Sequence, residues 1–314
     1  MITAIPVRSP ARYLGKHLIH ADYYSEEETV EGEWVGKGAE LLKLGQGQFA
    51  EEFAKVGNGD VPHPVQGEAE KLVQRVKENA VSYRDLGISA PKDFSVLAML
   101  GKDERLEEIF KEEVKEAVRE LEGFSARRFR EGASAHSKEM KITGNLTAAV
   151  FIHQSSRLLE PQLHAHVLVA NATFDEDENK WFAQESFPMM KASVYVRERF
   201  YHRLAHRIEE LGYRTHGHSD EGFEIRGIEH LRDRFSSRTA QIEASIRKFR
   251  ETHGRDPGKD ETQRIVLATR DAKLKETTAA EIRQSNLAKL TTEEIGDLAK
   301  ALEAGKHYSP TPII

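Results

Sequence analysis

The sequence predicts an α+β protein built on an antiparallel sheet, with a helical C-terminal part. The segments richest in Val, Ile, Thr and Phe come before residue 228, whereas the residues after 228 are charged and helical in pattern. The two clearest strands, "MKITGNLTAAVFIHQ" (140–154) and "LHAHVLVANATF" (163–174), are joined by about nine residues. This connection is too short for a helical crossover and therefore favours an antiparallel pair.

The N-terminal elements follow from local signals. "MITAIPV" (1–7) has the apolar, β-branched character of a strand. A helix is predicted to follow it, with Ser9 as N-cap and Pro10 at the first helical position. "YRDLGISA" (83–90) is half apolar and predicts a short strand, and "PKDFSVLAMLG" (91–101) predicts the start of a buried helix.

The later elements are mostly helical. A long helix is predicted at about 187–211, ended by Gly212, and "GFEIRG" (222–227) predicts another strand. From 228 to about 304 the pattern is helical and highly charged. Residues 103–122 form an amphipathic helix, because apolar residues recur there at steps of three and four: Leu106, Ile109, Phe110, Val114, Val118 and Leu121.

Composition narrows the function classes. The 314 residues are 39% hydrophobic and 31% charged, and no apolar run approaches the roughly 18–20 residues that cross a bilayer. The chain has no cysteine, which fits a reducing cytoplasm and restricts any transition-metal site to histidine and carboxylate ligands. The net charge of -6 argues against nucleic acid, yet residues 123–143 hold five basic and two acidic residues, a local basic face compatible with DNA.

Three histidines form the strongest chemical pattern. His164 and His166 are two residues apart on a strand, so both side chains point to one face. His153 ends the preceding strand, and pairing of the two strands brings it close to the other two. Three imidazoles can hold one divalent ion and leave positions open for substrate. Spacing alone favours neither a metal site nor a group of histidines that binds no metal.

Two other histidine pairs are interpreted as residues that bind no metal. His216 and His218 lie among Gly and polar residues, which predicts a loop. His202 and His206 are four residues apart in a helix, but "HRLAH" lacks the glutamate of a metalloprotease motif. We therefore expect these two on a helix surface.

The segment "TGNLTAAVFIHQSSRLLEPQLHAHVLVANATF" (143–174) resembles the three-histidine motif of MobF-type conjugative relaxases, members of the HUH endonucleases. It departs from the family pattern at Glu160, where Asp is usual, and at Ala165, where Thr is usual. "DLGISAPKDFSV" (85–96) and the tyrosine-containing block 12–45 resemble two further family segments.

The resemblance implies a palm-like central sheet and a site-specific DNA strand transferase. A tyrosine would attack a single-stranded origin-of-transfer phosphodiester, form a 5′-phosphotyrosine and later reverse the reaction. Tyr13 matches the family's first tyrosine position and Tyr23 its second, and which of them initiates stays open. Asp85 matches an acidic residue that orients a ligand histidine or takes the phenol proton. The metal ligands would be His153, His164 and His166.

The resemblance also implies cofactors and partners. We expect one divalent ion, Mg or Mn first and Zn or Ni as alternatives, and single-stranded or hairpin origin DNA as substrate. Lys92, Arg127 and Arg157 are candidate phosphate contacts. A helicase domain or accessory relaxosome proteins are expected partners, although "GRDPGKD" lacks the spacing and the Ser or Thr of a phosphate-binding loop.

The resemblance covers most of residues 1–240, which we interpret as the catalytic domain, with 241–314 as a helical extension packed on or continuing it. Three alternatives remain at this point. One is a non-cleaving origin-binding repressor, and another is a replication-initiator or transposase-type endonuclease of the same superfamily. The third is a small-molecule metalloenzyme with three histidines in a β-barrel, against which the helical content argues.

Overall fold

The computed structural model describes residues 2–15, 32–64, 69–71, 80–129, 139–219, 222–269 and 278–306. The strands in these ranges are β1 (Ile2–Val7), β2 (Glu33–Val35), β3 (Asp60–Pro62), β4 (Ala69–Lys71), β5 (Tyr83–Ser89), β6 (Ala126–Arg128), β7 (Met140–Ile142), β8 (Ala148–Ser155), β9 (Pro161–Ala170), β10 (Thr173–Asp175), β11 (Lys180–Phe182), β12 (Gln184–Glu185), β13 (Thr215–Ser219) and β14 (Gly222–Ile225). The helices are α1 (Pro10–Tyr13), α2 (Lys37–Leu41), α3 (Phe49–Asn58), α4 (Lys92–Gly101), α5 (Glu104–Glu122), α6 (Phe187–Glu209), α7 (Ser237–His253), α8 (Lys259–Ala268), α9 (Ala279–Leu287) and α10 (Thr292–Lys306), with a 3-10 helix at Glu229–Phe235.

The central element is a five-stranded sheet in the order β1-β5-β9-β8-β2. Every neighbouring pair in it is antiparallel. The turn between β8 and β9 spans only residues 156–160, because both strands extend further into the connecting segment than the sequence pattern indicated. The predicted α+β class with an antiparallel sheet is confirmed.

One face of this sheet packs against helices α4, α5 and α6 in a large apolar core. Leu163, Ala165 and Val167 point into it from β9, as the alternation of a strand requires. The predicted apolar stripe of α5 is buried at every position: Leu106, Ile109, Phe110, Val114, Val118 and Leu121.

The opposite face carries a second, aromatic core. Phe53 of α3 stacks on Tyr83 of β5 with 4.4 Å between ring centroids, and Phe151 of β8 meets Phe53 edge-on. Leu168 of β9 and the half-buried Tyr13 of α1 belong to the same cluster. His153, His164, His166 and Asp85 lie on this face of the sheet.

Two sequence predictions differ from the structure. The segment 140–154, expected as one strand, is divided into β7 and β8, and β7 pairs with β6 in a separate sheet; the segment 163–174 is likewise divided into β9 and β10. Asn145 accounts for the break between β7 and β8, since its side chain bonds both the N–H and the C=O of Phe174 instead of continuing a ladder.

The second difference concerns His216, which lies in β13 rather than in a loop, together with His218. A register shift follows His216, where Gly217 has a φ of 61°. His216 faces Glu224 and Glu229 at 3.4 Å and is exposed to solvent in part, which is an ordinary surface setting. His202 and His206 are exposed on α6, as expected.

The C-terminal helices divide into two groups. Leu298 of α10 and Leu290, between α9 and α10, belong to the apolar core on the α4–α6 face of the sheet, and Arg283 of α9 donates to the backbone oxygen of Leu100. Helix α7 has no buried residue, and its Arg238 reaches the last turn of α8. The domain boundary at 240 stays a prediction.

Within the described ranges, no helix has the length and apolarity that a bilayer crossing requires.

Candidate active site

The three histidines of the sequence motif lie together at one end of the central sheet. His153 of β8 is directly opposite His164 of β9 in the strand register. His166 follows two residues later and points to the same face. The ring centroids are 5.3 Å apart for His153–His164, 5.3 Å for His153–His166 and 5.4 Å for His164–His166. The antiparallel hairpin thus brings the three predicted ligands into one cluster.

The local electrostatics keep two of these rings neutral. Burial lowers the pKa of His153 to about 2, and the neighbouring His164 and His166 add to the shift. Burial, with a smaller contribution from His166, lowers the pKa of His164 to about 4. A neutral imidazole retains the lone pair with which it binds a metal ion.

Hydrogen bonds orient the donor nitrogens. His164 Nδ1 is 2.9 Å from the Gln162 oxygen, a pure acceptor, so this nitrogen carries the proton and Nε2 keeps a lone pair. His153 Nε2 is buried without a hydrogen-bond partner, although the residue is only 4% exposed. Buried polar atoms are rarely left unpaired, so an orphaned ring nitrogen inside a histidine cluster fits a site for a cation.

The cluster is close-packed but not yet in a coordinating arrangement. Among the described residues, no set of three or more His, Asp or Glu side chains is already arranged to hold an ion. The rings of His153 and His164 are nearly stacked, at 29° to each other. The strand register already sets the separation of the three rings.

Tyr13 and Asp85 adjoin the histidine cluster. The Tyr13 hydroxyl donates to Asp85 Oδ2 at 2.5 Å, and the same oxygen is 2.8 Å from His166 Nδ1. Asp85 is 2% exposed, and its Oδ1 is buried without a partner. A single carboxylate oxygen therefore joins the candidate nucleophile to a candidate metal ligand.

The chain topology explains this meeting across 72 residues. Strand β1 pairs with β5 so that Ile5 lies opposite Asp85, and α1 begins three residues after β1. Because α1 begins so soon after β1, Tyr13 lies over the face of the sheet that carries the aromatic core. On the other side of β5, Gly87 pairs with His166, so Asp85 shares a face with the histidines.

The remaining predicted residues have different settings. Tyr23 lies outside the described residues. Lys92 Nζ donates to the Pro161 oxygen at 2.9 Å, and burial lowers its pKa. Arg157 lies half-buried in the turn between β8 and β9, next to the histidine end of the sheet.

The structure argues against a phosphate contact by Arg127. Its guanidinium is 4% exposed and pairs with Asp175 and Glu178. It also lies 4.2 Å from the ring centroid of Phe182. A cation that is buried between two carboxylates and an aromatic ring stabilises the fold and is not available to contact DNA. The basic composition of 123–143 did not indicate this burial.

Sequence reasoning missed the residues that hold the turn between the two histidine strands. Glu160 was noted only as a departure from the family pattern, yet its carboxylate accepts from Ser237, 77 residues later. Asn286 donates to the oxygen of Leu159 from 127 residues away. No local pattern signals contacts at such separations.

A palm-like sheet with a histidine cluster beside a carboxylate-bound tyrosine defines the class of relaxases, DNA endonucleases that act through a tyrosine. The family model described as TrwC relaxase matches residues 8–292, and the chain belongs to this family. This match confirms the family resemblance of the sequence motif.

Known relatives agree with this assignment. The chain is 30% identical over 269 residues to the multifunctional conjugation protein TraI of Escherichia coli (strain K12), covering 82% of this chain and 14% of that protein. A second TraI from Escherichia coli is 30% identical over 253 residues, covering 77% of this chain and again 14% of the relative. The chain thus spans about one seventh of the length of these relatives.

Solved structures match the fold over nearly the whole chain. The metal-bound structure of the conjugative relaxase TrwC in complex with oriT DNA has a TM-score of 0.76 at 25% identity, covering 94% of this chain and 99% of that one. TrwC complexed with a 27-mer DNA comprising the recognition hairpin and the cleavage site has a TM-score of 0.75 with the same identity and coverage.

Proposed function

We propose that this chain nicks single-stranded origin-of-transfer DNA at one site through Tyr13 and later rejoins the strand. The observation that carries the proposal is the chain of contacts from Tyr13 through Asp85 to His166. It supplies a nucleophile, a group able to accept its proton, and a link to the histidine cluster. A module that only binds DNA needs none of these.

The nicking step is a transesterification. The phenol oxygen of Tyr13 forms a bond to phosphorus while the bond from phosphorus to the 3′ oxygen breaks. Asp85 Oδ2, already 2.5 Å from the hydroxyl, accepts the phenol proton, and the released 3′ oxygen takes a proton from solvent. A phenol has an ordinary pKa of about 10 and leaves readily, so the 3′ hydroxyl can attack the phosphotyrosine and reseal the strand.

We assign metal binding to His153, His164 and His166. A bound divalent ion would withdraw charge from a nonbridging phosphate oxygen, which lowers the barrier to attack by an anionic nucleophile. Asp85 keeps the proton of His166 on Nδ1, so Nε2 is free for the ion. A donor set of imidazoles argues for Zn or Ni over Mg or Mn.

The proposed partner is origin DNA in single-stranded or hairpin form, because the matched TrwC structures hold such DNA. Arg157 is the strongest remaining candidate for a phosphate contact, since it flanks the histidine cluster. Lys92 keeps this role as a weaker candidate because one of its N–H groups is already used. In the whole protein we propose an attached helicase or accessory relaxosome proteins, acting in the cytoplasm.

The decisive experiment is a metal-dependent nicking assay on a panel of origin oligonucleotides, with the covalent product detected by gel shift. We expect Tyr13→Phe to abolish initial nicking, because the variant keeps the ring and loses the attacking oxygen. Tyr195→Phe is the matched control, since Tyr195 is exposed on α6. Tyr23→Phe tests the second nucleophile.

The outcomes separate the alternatives. An unaltered nicking rate in Tyr13→Phe would reject Tyr13 as the initiating residue. Tight binding of hairpin DNA by the unmodified protein with no covalent adduct under any metal would favour the non-cleaving repressor. Cleavage of replication-origin or transposon-end oligonucleotides in preference to transfer origins would favour the related endonucleases.

A further inference from the structure

The turn between the two histidine strands is held from outside at three consecutive residues. Asn286 Nδ2 of α9 donates to the Leu159 oxygen at 2.6 Å. Ser237 at the start of α7 donates to the Glu160 carboxylate, and Lys92 of α4 donates to the Pro161 oxygen. Three helices from distant parts of the chain thus converge on one short turn.

The turn needs such support for two reasons. Leu159 has a φ of +58°, a left-handed conformation that is unfavourable for a residue with a side chain. The register between β8 and β9 also shifts between His153 and Ser155, so the ladder is irregular just where the strands approach the turn. Sheet hydrogen bonds therefore do not by themselves set the geometry beside His153.

Asn286 is placed for this contact. It is 1% exposed in the last turn of α9, where a buried amide needs hydrogen-bond partners. Docking of α9 has other support, since Arg283 donates to the Leu100 oxygen and Ile282 is buried. The Asn286 side chain also donates to the Ile282 oxygen in its own helix and accepts from Lys289, and its bond to Leu159 is the one that links α9 to the β8–β9 turn.

We propose that Asn286 is a positioning residue for the histidine cluster, acting through the Leu159 carbonyl to hold the β8–β9 turn. This inference rests on the proposed metal site. Loss of the bond frees the strained turn, which widens the range of His153 and His164 positions. The imidazoles then converge on an ion less readily, while the overall fold is kept.

The test compares Asn286→Leu with Gln284→Leu, which makes the same amide-to-leucine change at an exposed position of α9. Hydrogen exchange of the amides of residues 156–160 is measured in metal-free protein. Affinity for Ni²⁺ is measured by calorimetry on tag-free protein. We expect Asn286→Leu to speed exchange in the turn and to weaken Ni²⁺ binding about five- to tenfold, as expected for one buried hydrogen bond. Gln284→Leu should match the parent.

A rescue variant separates positioning from general damage. Glycine adopts a positive φ without steric cost, so Leu159→Gly removes the strain that Asn286 opposes. In the Asn286→Leu background, Leu159→Gly should restore at least half of the lost Ni²⁺ affinity. Matching far-ultraviolet circular dichroism of the parent and both variants at the assay temperature shows that the change in affinity comes from folded protein.

Each outcome is decisive. Unchanged exchange and unchanged Ni²⁺ affinity in Asn286→Leu would overturn the positioning role while leaving the proposed function intact. Loss of affinity without rescue by Leu159→Gly would overturn the mechanism through the strained turn. Equal Ni²⁺ binding by the parent and His164→Ala would remove the metal site itself, and this inference with it.

Discussion

Asp85→Asn is the most informative substitution in the candidate active site. The parent carboxylate accepts two hydrogen bonds on Oδ2, from Tyr13 at 2.5 Å and from His166 at 2.8 Å. Asparagine has the same shape but no charge, and only one of its two terminal atoms accepts. If the amide oxygen takes the Oδ2 position, it can still accept both bonds, but both are weaker because the acceptor has no charge and no longer takes up the phenol proton; if the amide nitrogen takes that position, the contact with His166 is reversed.

The magnitude follows from these two bonds. A hydrogen bond to a charged group contributes about 1.5–3 kcal/mol and a neutral one about 0.5–1.5 kcal/mol, so weakening both bonds or reversing one costs about 2–4 kcal/mol. This corresponds to about a 30- to 1000-fold slower nicking rate. An amide also allows His166 to carry its proton on Nε2, the nitrogen proposed to bind the ion. Ni²⁺ affinity should therefore fall about 10- to 100-fold.

The assay is single-turnover nicking of an origin oligonucleotide at saturating DNA, repeated over a range of metal concentrations. Asp93→Asn is the matched control, because Asp93 is an equally buried aspartate that bonds the Ile225 N–H instead of the cluster. A nicking rate within about threefold of the parent at every metal concentration would refute the role of Asp85.

Three further predictions follow from the burial and contacts of single side chains. His164→Ala removes one of three proposed ligands, so calorimetry should show Ni²⁺ affinity reduced more than about 100-fold, beyond the effect of an outer residue; unchanged binding would exclude the three-histidine site. Burial raises the pKa of Asp93 to about 6, so the stability that its neutral form contributes is lost as pH rises from about 4 through about 6. Asp93→Asn should therefore gain up to about 3 kcal/mol of unfolding free energy relative to the parent at pH 8 and little at pH 4, measured by denaturant titration, and a pH-independent difference would contradict this. Arg127→Met leaves Asp175 with Lys141 as its remaining cationic partner and should cost about 2–3 kcal/mol of stability, with origin-DNA affinity of the folded protein unchanged; a large loss of DNA affinity at full stability would restore the phosphate-contact role.

Short-range patterns predicted the parts of the site that depend on one or two neighbouring elements. The two-residue period of a strand placed His164 and His166 on one face. A short connection implied an antiparallel partner, which brought in His153. The family resemblance then supplied the class, and Tyr13 and Asp85 as candidates. The shared face and the antiparallel pairing held in the structure because strand alternation and hairpin pairing are decided locally.

Local patterns also misled in identifiable ways. The basic composition of 123–143 suggested a DNA-binding face, yet Arg127 is paired with Asp175 from β10, 48 residues later. The apolar run 140–154 looked continuous, but Asn145 breaks it by bonding Phe174. In both cases the deciding partner is distant in sequence, and no window of neighbouring residues contains it.

The sequence by itself therefore determined the α+β class, the antiparallel hairpin and the shared face of the histidines, because side-chain periodicity and connection length are local properties. Only the tertiary structure decided that one oxygen of Asp85 serves both Tyr13 and His166, and that Asn286 reaches the strained Leu159. The physical reason is that such contacts depend on how α1 and α9 pack against the sheet. That packing is set by the summed burial of two apolar cores on opposite faces, to which residues from across the chain contribute.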